Sequence, residues 1–227
     1  MTNPLGTAPR SQAGQSLLKR FSEDSCSGTL ELERLRQIAW DVGRRDVPGD
    51  IVECGVMNGG SAAVLASGLP NRELWLYDSF EGLPTPTSQD GPRAKTWEGR
   101  CRGSETRVRT VLSLAGVDNP RIIKGWYEDT FRDCNKPSPK KIALLHIDAD
   151  WFDSVLLSLE RFYNSITDGG VIVLGDFGYW EGCREAFYVF CRMYRLEPLL
   201  ERFGHSHAWW VKGRTNNREY LGRWDMP

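Results

Sequence analysis

The chain of 227 residues lacks the features that mark several common classes of protein. Lys and Arg number 29 against 30 Asp and Glu, so the net charge of -1 leaves no cationic excess for nucleic-acid phosphates. No apolar run is long enough to cross a bilayer. These absences argue against a nucleic-acid partner and a membrane partner, and they favour an ordinary soluble enzyme.

Two further absences concern location in the cell. The six cysteines are scattered without a C-x-x-C pair, and Cys54 falls in a predicted core strand. Free thiols in a reducing compartment account for this better than disulfides or a zinc site. Residues 1–16 are small and polar without an apolar h-region, which predicts a flexible tail and not a signal peptide. The sequence therefore predicts a cytoplasmic protein.

The G-x-G-x-x-G fingerprint of dinucleotide-binding folds is also missing. Instead the predicted strand 50–54 runs into Gly55, and a predicted helix begins at Gly60 and Ser61. This order presents free backbone N–H groups at the helix N-terminus, where they can hold an anionic group of a ligand. The pattern Glu-x-Gly-x-x-x-Gly-Gly-Ser, which begins at Glu53, suits a nucleoside with no phosphate but with an amino acid end. S-adenosylmethionine is such a ligand.

A second acidic position supports nucleoside binding. The predicted strand 73–77 ends at Asp78 and Ser79. Asp78 follows Gly55 by roughly 20 residues, the distance at which an acidic residue accepts hydrogen bonds from ribose hydroxyls. The structural alternative is that Gly55 only closes a turn while Asp78 caps a following helix.

Strand and helix patterns alternate along the rest of the chain. Predicted strands lie at 50–54, 73–77, 121–124, 142–147, 171–174, 196–203 and 207–212, and predicted helices lie near 32–42, 60–68, 104–115, 155–166 and 182–194. Asp168-Gly169-Gly170 is expected to end the fourth helix, and the last two strands can pair antiparallel across a short turn. The pattern predicts an α/β fold with one domain over 17–227. Its seven-stranded, Rossmann-like sheet is of the methyltransferase type, mostly parallel with a C-terminal antiparallel hairpin.

Residues 80–103 break this alternation. They contain three prolines and four glycines, and they begin directly after Asp78. A loop this long in a compact domain is usually a functional lid or is disordered. We expect a lid over the ligand, with an inert insertion as the alternative.

Acidic side chains follow two of the predicted strands. Asp148 and Asp150 follow the strand 142–147, and Asp176 follows the strand 171–174. Because ligands of open α/β sheets bind at the carboxyl ends of strands, these carboxylates can converge on one site. Crowded carboxylates repel one another unless a cation such as Mg²⁺ or Mn²⁺ lies between them. The alternative is that each caps the helix after it.

Taken together, these motifs resemble the macrocin O-methyltransferase family. They are Glu-Cys-Gly-Val-x-x-Gly-Gly-Ser from Glu53, Tyr-Asp-Ser-Phe-Glu-Gly-Leu-Pro from Tyr77, His-Ile-Asp-Ala-Asp from His146 and Asp-Phe-Gly-Tyr-Trp-x-Gly from Asp176. The resemblance covers about residues 29–212. It implies methyl transfer from S-adenosylmethionine to a deoxysugar hydroxyl of a glycosylated antibiotic, with Mg²⁺.

The resemblance also implies roles for individual residues. The cofactor would be held by Glu53, Gly55, Ser61, Asp78, Ser79, Trp126 and Asp148. Asp148 and Asp176 would bind the metal, which gives Asp148 a catalytic part, and Asp150 would be the general base. These assignments belong to the resemblance and not to residue spacing.

One position departs from the family pattern. The family usually has two consecutive aspartates at the end of the fifth strand, whereas this chain has Gly175 before Asp176. A site with fewer carboxylates should hold the ion more weakly. Asp150 could then shift from base to ligand.

Aromatic and histidine side chains add further candidates. Trp97 in the expected lid, and Tyr179 and Trp180 after Asp176, are candidate contacts for the acceptor. Trp209 and Trp210 fit a core role equally well. Alternative bases, ranked below Asp150, are His205 and His207 in a predicted hairpin at the sheet edge, while His146 is expected to be a satisfied core histidine.

Other functions stay open at this point. A methyltransferase could act on an acceptor without a sugar, or the chain could be a cofactor-binding homologue weakened by Gly175. A nicotinamide oxidoreductase would share the fold but lacks the glycines that hold a pyrophosphate. The expected partner is a small molecule, and assembly into a homo-oligomer is open.

Overall fold

The computed structural model describes residues 18–133 and 135–214, so the predicted tail at 1–16 lies outside the described residues. Within them one sheet contains β1 (Asp50–Cys54), β2 (Leu74–Asp78), β3 (Arg121–Lys124), β4 (Ile142–Ile147), β5 (Ile166–Leu174), β6 (Glu201–Phe203) and β7 (His207–Val211). The strand order is β3-β2-β1-β4-β5-β7-β6. Strands β1 to β5 are parallel, and β7 is antiparallel to β5 and β6. The predicted fold class is confirmed.

Residues 18–22 are helical, and six further helices accompany these strands in the described part of the chain. They are α1 (Thr29–Arg44), α2 (Gly60–Gly68), α3 (Glu105–Leu114), α4 (Tyr127–Thr130), α5 (Phe152–Phe162) and α6 (Glu181–Tyr194). Helix α2 is rich in Gly, Ala and Ser, and only Ser67 on it is exposed. Across the described residues, no helix combines the length and apolar character that crossing a membrane requires.

The two faces of the sheet carry separate apolar layers. Alternate residues of a strand point to opposite faces, so Ile51 joins the layer with α1 and α2 while Val52 and Cys54 join the layer with α5 and α6. Every residue of β4 is buried, as expected for a central parallel strand. Glu53 shares its face with Ile51 and is fully buried. A carboxylate is therefore held inside the sheet near the carboxyl end of β1.

The C-terminal hairpin corrects one sequence-based expectation. Strand β7 lies between β5 and β6, and the edge strand β6 is shorter than the predicted 196–203. His207 at the start of β7 is only 2% exposed, so it lies inside the sheet and not at its edge. His205, in the turn before β7, is exposed as expected of a hairpin residue.

The boundary between α5 and β5 also differs from the prediction. Helix α5 ends at Phe162, and Ile166 pairs with Ile142 as the first residue of β5. Asp168-Gly169-Gly170 therefore lies within a strand and does not end a helix. The backbone N–H of Gly169 donates to the carbonyl of Lys212 at 3.0 Å. The apolar spacing misled the prediction because Ile166 is buried as a strand residue just as it would be on a helix.

Residues 80–103 form an ordered segment with two short 3₁₀ turns, Ser88–Asp90 and Ala94–Trp97. The backbone N–H of Leu83 donates to Arg100 at 2.9 Å, and that of Gly99 donates to Leu83 at 2.8 Å. Asp90 is fully buried, and its carboxylate accepts from the backbone N–H of Phe152 at 2.6 Å. The segment is thus closed at its base and attached to the start of α5 at its middle.

Candidate active site

One cavity of about 470 Å³ opens at the carboxyl edge of the sheet. The predicted site residues that line it are Gly55, Ser61, Asp78, Ser79, Trp97, Trp126, Asp148, Asp150, Asp176, Tyr179 and Trp180. Glu53 does not line it, because its side chain is buried beneath the surface of the sheet. The topology therefore brings the cofactor, metal, base and acceptor candidates around a single space.

The turn after β1 depends on glycine at position 55 for two reasons. Gly55 has a φ of +84°, which favours glycine. A Cβ at this position would lie 1.9 Å from the carbonyl oxygen of Asp148. The close approach that Gly55 permits is therefore to the end of β4, so it brings Asp148 next to the cofactor turn.

Asp78 binds the backbone of that same turn. One carboxylate oxygen accepts from the N–H groups of Val56 at 2.7 Å and Met57 at 2.8 Å, and the other accepts from Phe80 at 2.6 Å. The N–H of Gly60 at the start of α2 donates to the carbonyl of Asp24 at 3.1 Å. Of the N–H groups that were expected to be free at the helix N-terminus, the structure therefore uses that of Gly60 internally.

Ser79 and Trp126 flank the same end of the cavity. The hydroxyl oxygen of Ser79 accepts from the N–H of Glu81 at 3.1 Å, and the residue is 7% exposed. Trp126 follows β3 immediately before α4 and is half-buried. Both residues line the cavity together with Asp78, at the ends of β2 and β3.

Asp148, Asp150 and Asp176 crowd together at the ends of β4 and β5. Burial, and then the charge of Asp148, raises the pKa of Asp150 to about 8. Burial, followed by the charges of Asp150 and Asp148, raises the pKa of Asp176 well above its ordinary value. A carboxylate oxygen of Asp176 accepts from the backbone N–H of Asp150 at 3.2 Å. The cluster therefore favours either a bound proton or a nearby cation.

Asp150 is held in a defined orientation. Its φ of +55° is uncommon for a residue with a side chain, and such strain is found most often at functional sites. The indole N–H of Trp180 donates to Oδ1 of Asp150 at 2.7 Å. Trp180 is only 1% exposed, so little of its ring is open to a ligand. The other oxygen of Asp150 stays available to accept a proton.

An aromatic wall faces these carboxylates. Trp97 lies edge-on to Tyr179 with ring centroids 6.3 Å apart and to Trp180 at 5.7 Å. The guanidinium of Arg93 lies over the rings of Tyr179 and Trp180 at 4.7 and 4.9 Å. Tyr179 is 42% exposed and offers open ring surface to a ligand. Trp209 and Trp210 are buried and outside the cavity lining, which settles them as core residues.

The buried Glu53 forms a pair with His146. Nδ1 of His146 lies 2.8 Å from a carboxylate oxygen of Glu53, on neighbouring strands in register. Burial alone would lower the pKa of His146, but the hydrogen bond and charge of Glu53 raise it overall. Nε2 of His146 is buried and has no hydrogen-bond partner among the described residues. The expectation of a fully satisfied core histidine is therefore only half met.

Sequence reasoning missed the place of three other residues at the cavity. His207 lines it beside Asp148, although its position in the sheet could not be read from the hairpin pattern. Cys26 and Cys101 also line it, and their sulfur atoms lie 3.8 Å apart. No local signal joins residues so distant in sequence.

The family follows from a match over most of the chain. The family model described as Macrocin-O-methyltransferase (TylF) matches residues 22–212. The chain belongs to this family. Membership confirms the prediction of an S-adenosylmethionine-dependent O-methyltransferase and excludes the nicotinamide oxidoreductase.

Relatives and solved structures agree with the family. A demethyldecarbamoylnovobiocin O-methyltransferase from Streptomyces niveus is 25% identical over 205 residues, which cover 82% of this chain and 75% of the relative. An 8-demethyl-8-(2,3-dimethoxy-alpha-L-rhamnosyl)-tetracenomycin-C 4'-O-methyltransferase from Streptomyces olivaceus is 28% identical over 195 residues, which cover 80% of this chain and 73% of the relative. The structure of the O-methyltransferase NovP has a TM-score of 0.72 and 25% identity, and the match covers 84% of this chain and 83% of that one.

Proposed function

We propose that this methyltransferase acts on a sugar hydroxyl of a glycosylated natural product. The relative from Streptomyces olivaceus is named for a dimethoxy-rhamnosyl substrate, and another from Micromonospora griseorubida is named a mycinamicin III 3''-O-methyltransferase. The observation that carries the proposal is the position of Asp150 beside the open rings of Trp97 and Tyr179. Aromatic faces suit the apolar face of a sugar ring, and a carboxylate suits its hydroxyl.

In this proposal the cofactor occupies the end of the cavity formed by β1, β2 and β3. Asp78 uses its remaining acceptor site for a ribose hydroxyl, and Trp126 lies near the adenine. Ser61 and Ser79 border the same region. The support is the shared lining and the rigid support of Asp78 by Val56 and Met57. Glu53 is buried under the cavity and does not touch the cofactor directly. It supports the site through its hydrogen bond with His146.

The reaction is an in-line displacement at the methyl carbon. A bond forms from the acceptor oxygen to this carbon as the bond from carbon to sulfur breaks, and S-adenosylhomocysteine leaves. The hydroxyl proton passes to the free oxygen of Asp150, which Trp180 holds in place. Such a base contributes about 10²–10⁴-fold to the rate. The raised pKa of Asp150, about 8, makes its ionised form a stronger base than an ordinary carboxylate, and the carboxyl is mostly protonated below that pH, so the rate should rise with pH toward about 8.

A divalent ion fits the acidic cluster. We infer that Asp148 and Asp176 hold Mg²⁺, because the raised pKa of Asp176 reflects a site that lacks compensating positive charge. When bound, the ion would lower the pKa of an oxygen that it contacts. With Gly175 in place of a carboxylate, its affinity should be lower than in family members that have the aspartate pair.

Gly175 also favours a second candidate, a homologue that binds the cofactor but is weakened in catalysis. A Cβ at this position would lie 1.8 Å from a carboxylate oxygen of Asp148, so Asp148 occupies the space that another side chain would need. Restoring an aspartate at position 175 would therefore require Asp148 to rotate. Retention of Asp148, Asp150 and Asp176 at the cavity supports an active enzyme over this alternative.

The test is a methyl-transfer assay over pairs of glycosylated natural products and their aglycones. S-adenosylhomocysteine release is measured with Mg²⁺ and, separately, with a chelator. We expect turnover with glycosides only, strong loss in Asp150→Asn, and little change in Asp153→Asn, an exposed carboxylate outside the cavity. Equal turnover of aglycones would point to an acceptor without a sugar. Binding of S-adenosylmethionine without turnover of any acceptor would point to the weakened homologue.

We also infer a cytoplasmic location. Cys26, Cys54, Cys101, Cys183 and Cys191 are free thiols, which supports a reducing compartment. Assembly into a homo-oligomer stays a prediction that size measurement in solution would test.

A further inference from the structure

One row of residues crosses the sheet beside the acidic cluster. Ile147, Leu174 and Ala208 are in register on β4, β5 and β7. The next row therefore holds Asp148, Gly175 and His207. Residues of one row point to the same face of a sheet, so Asp148 and His207 flank a position without a side chain. The missing side chain at Gly175 leaves these two groups facing each other.

His146 lies on the same face of the sheet as this row. It is within β4, two residues before Asp148, and alternate residues of an extended chain point the same way. The rings of His146 and His207 are nearly parallel, with an angle of 12° and centroids 6.0 Å apart. His146 is fully buried, and His207 is 2% exposed. Both rings thus lie in packed surroundings near the cavity wall.

Each histidine has a buried nitrogen without a partner. Nδ1 of His146 is engaged by Glu53 at 2.8 Å, and Nδ1 of His207 lies 3.1 Å from the hydroxyl of Ser206. Nε2 of both rings has no hydrogen-bond partner among the described residues. Buried polar atoms are nearly always satisfied, so two such nitrogens beside a carboxylate indicate a missing ligand.

The three side chains meet closely enough to share an ion. One ring nitrogen of His146, one of His207 and one carboxylate oxygen of Asp148 lie within 4.8 Å of one another. Two atoms bound at about 2.1 Å to one ion lie at most about 4.2 Å apart, so small rotations close the set. Among the described residues, this is the one group of three such side chains that meets this limit.

We propose that His146, Asp148 and His207 form a binding site for a divalent transition ion, with Glu53 orienting His146. Imidazole nitrogen favours ions such as Fe²⁺, Co²⁺, Ni²⁺ and Zn²⁺, whereas Mg²⁺ prefers oxygen ligands. The pair of His146 with Glu53 matches the usual support of a metal-binding histidine, whose second nitrogen donates to a carboxylate. Gly175 has no side chain that could bind an ion, and His207 supplies a ligand next to that position instead.

This site goes beyond the proposed methyl transfer and does not depend on the acceptor. It shares Asp148 with the Mg²⁺ site proposed above, in which Asp176 is the second ligand. The two sites differ in their other ligands and in the ions that they prefer. Metal binding can therefore be measured on the full chain without substrate. If the protein does not bind a transition ion at this site, the assay with glycosides still tests the proposed methyl transfer by itself.

The experiment titrates chelator-treated protein with Co²⁺ and follows its visible absorption, which changes when protein ligands replace water, while competition by Mg²⁺ tests whether the ligands are oxygens alone. We expect one Co²⁺ per chain that excess Mg²⁺ does not displace. His207→Gln should lose this binding, and Glu53→Gln should weaken it about 10–100-fold through the orientation of His146. His205→Gln is the matched control, because His205 is in the same hairpin and is exposed. It should bind as the wild type does, and Asp176→Asn should retain binding.

Three results would overturn the proposal. They are no uptake of Co²⁺ by the wild type, unchanged affinity in His207→Gln, and ready displacement of Co²⁺ by Mg²⁺. If His207→Gln does not fold, the wild type with bound Cu²⁺ gives a second measurement. Electron spin-echo spectroscopy should then show modulation from the remote nitrogen of imidazole, and its absence would overturn the proposal equally.

Discussion

The two ends of the cavity treat their polar groups in opposite ways. At the β1–β2 end, Asp78 accepts three backbone hydrogen bonds and organises the turn that follows Gly55. At the β4–β5–β7 end, burial and mutual repulsion raise the pKa of Asp150 and Asp176, and two histidine nitrogens lack partners. The first end, where we propose that the cofactor binds, has its polar groups satisfied within the protein. The second end has electrostatic demands that a proton, an ion or an acceptor hydroxyl would satisfy.

The largest effect should come from Asp150→Asn at the unsatisfied end. The amide keeps the size of the side chain and can still accept from Trp180, but it cannot take the acceptor proton. The methyl-transfer rate should fall by about 10²–10⁴-fold. Calorimetry should find the affinity for S-adenosylmethionine nearly unchanged, because Asp150 lies outside the cofactor end.

The control for this change is Asp153→Asn, which alters an exposed carboxylate in the first turn of α5. It should leave the rate close to that of the wild type. A small rate loss in Asp150→Asn, comparable to that of Asp153→Asn, would show that Asp150 is not the base. The proposed contrast between the two ends of the cavity would then be wrong.

The next largest effect should come from Asp78→Ala at the satisfied end. Loss of hydrogen bonds to a charged group costs about 1.5–3 kcal/mol each, and the variant loses those to Val56, Met57 and Phe80. We expect both weaker S-adenosylmethionine binding, measured by calorimetry, and a lower free energy of unfolding. The sequence alone predicted mainly a loss of binding, because these backbone contacts could not be seen in it. Unchanged cofactor affinity would refute the placement of the ribose at Asp78.

What the sequence could predict depended on how local the signal was. The unbroken apolar run of β4 and the glycine turn after β1 are local, so both were placed correctly. The neighbours of His207 depend on which strand of the hairpin pairs with β5, and no local pattern decides that. Ile166 was misplaced because a buried residue at a strand start satisfies helical spacing equally well.

A smaller effect concerns stability and pH at the unsatisfied end. The folded protein holds the pKa of Asp150 at about 8 against an ordinary 3.8, so it binds more protons than the unfolded chain between these values. This contribution to stability is full at acidic pH and is lost as the pH rises through about 8. The amide in Asp150→Asn cannot ionise. The difference in melting temperature, variant minus wild type, should therefore be more positive at pH 9, about one unit above the raised pKa, than at pH 5. Thermal unfolding of chelator-treated protein measures this, and an identical difference at both pH values would contradict the shift.

The smallest effect should be on residues 80–103, which span both ends of the cavity. Arg93, Lys95 and Arg100 are exposed, while Asp90 fixes the middle of the segment to α5. As a lid, the segment should be cut by trypsin more slowly when cofactor and acceptor are bound. Cleavage at the exposed Arg195, outside the segment, is the internal control. Equal rates at the three sites with and without ligands would favour a fixed wall over a lid.

The most direct test of the account uses S-adenosylmethionine labelled with carbon-13 in its methyl group. After turnover with a glycosylated acceptor, NMR correlation identifies the atom that carries the label. The account predicts an O-methyl carbon coupled to a sugar-ring proton, since Asp150 and the rings of Trp97 and Tyr179 form the proposed sugar site. A label on the aglycone, or on nitrogen or carbon of any acceptor, would contradict it.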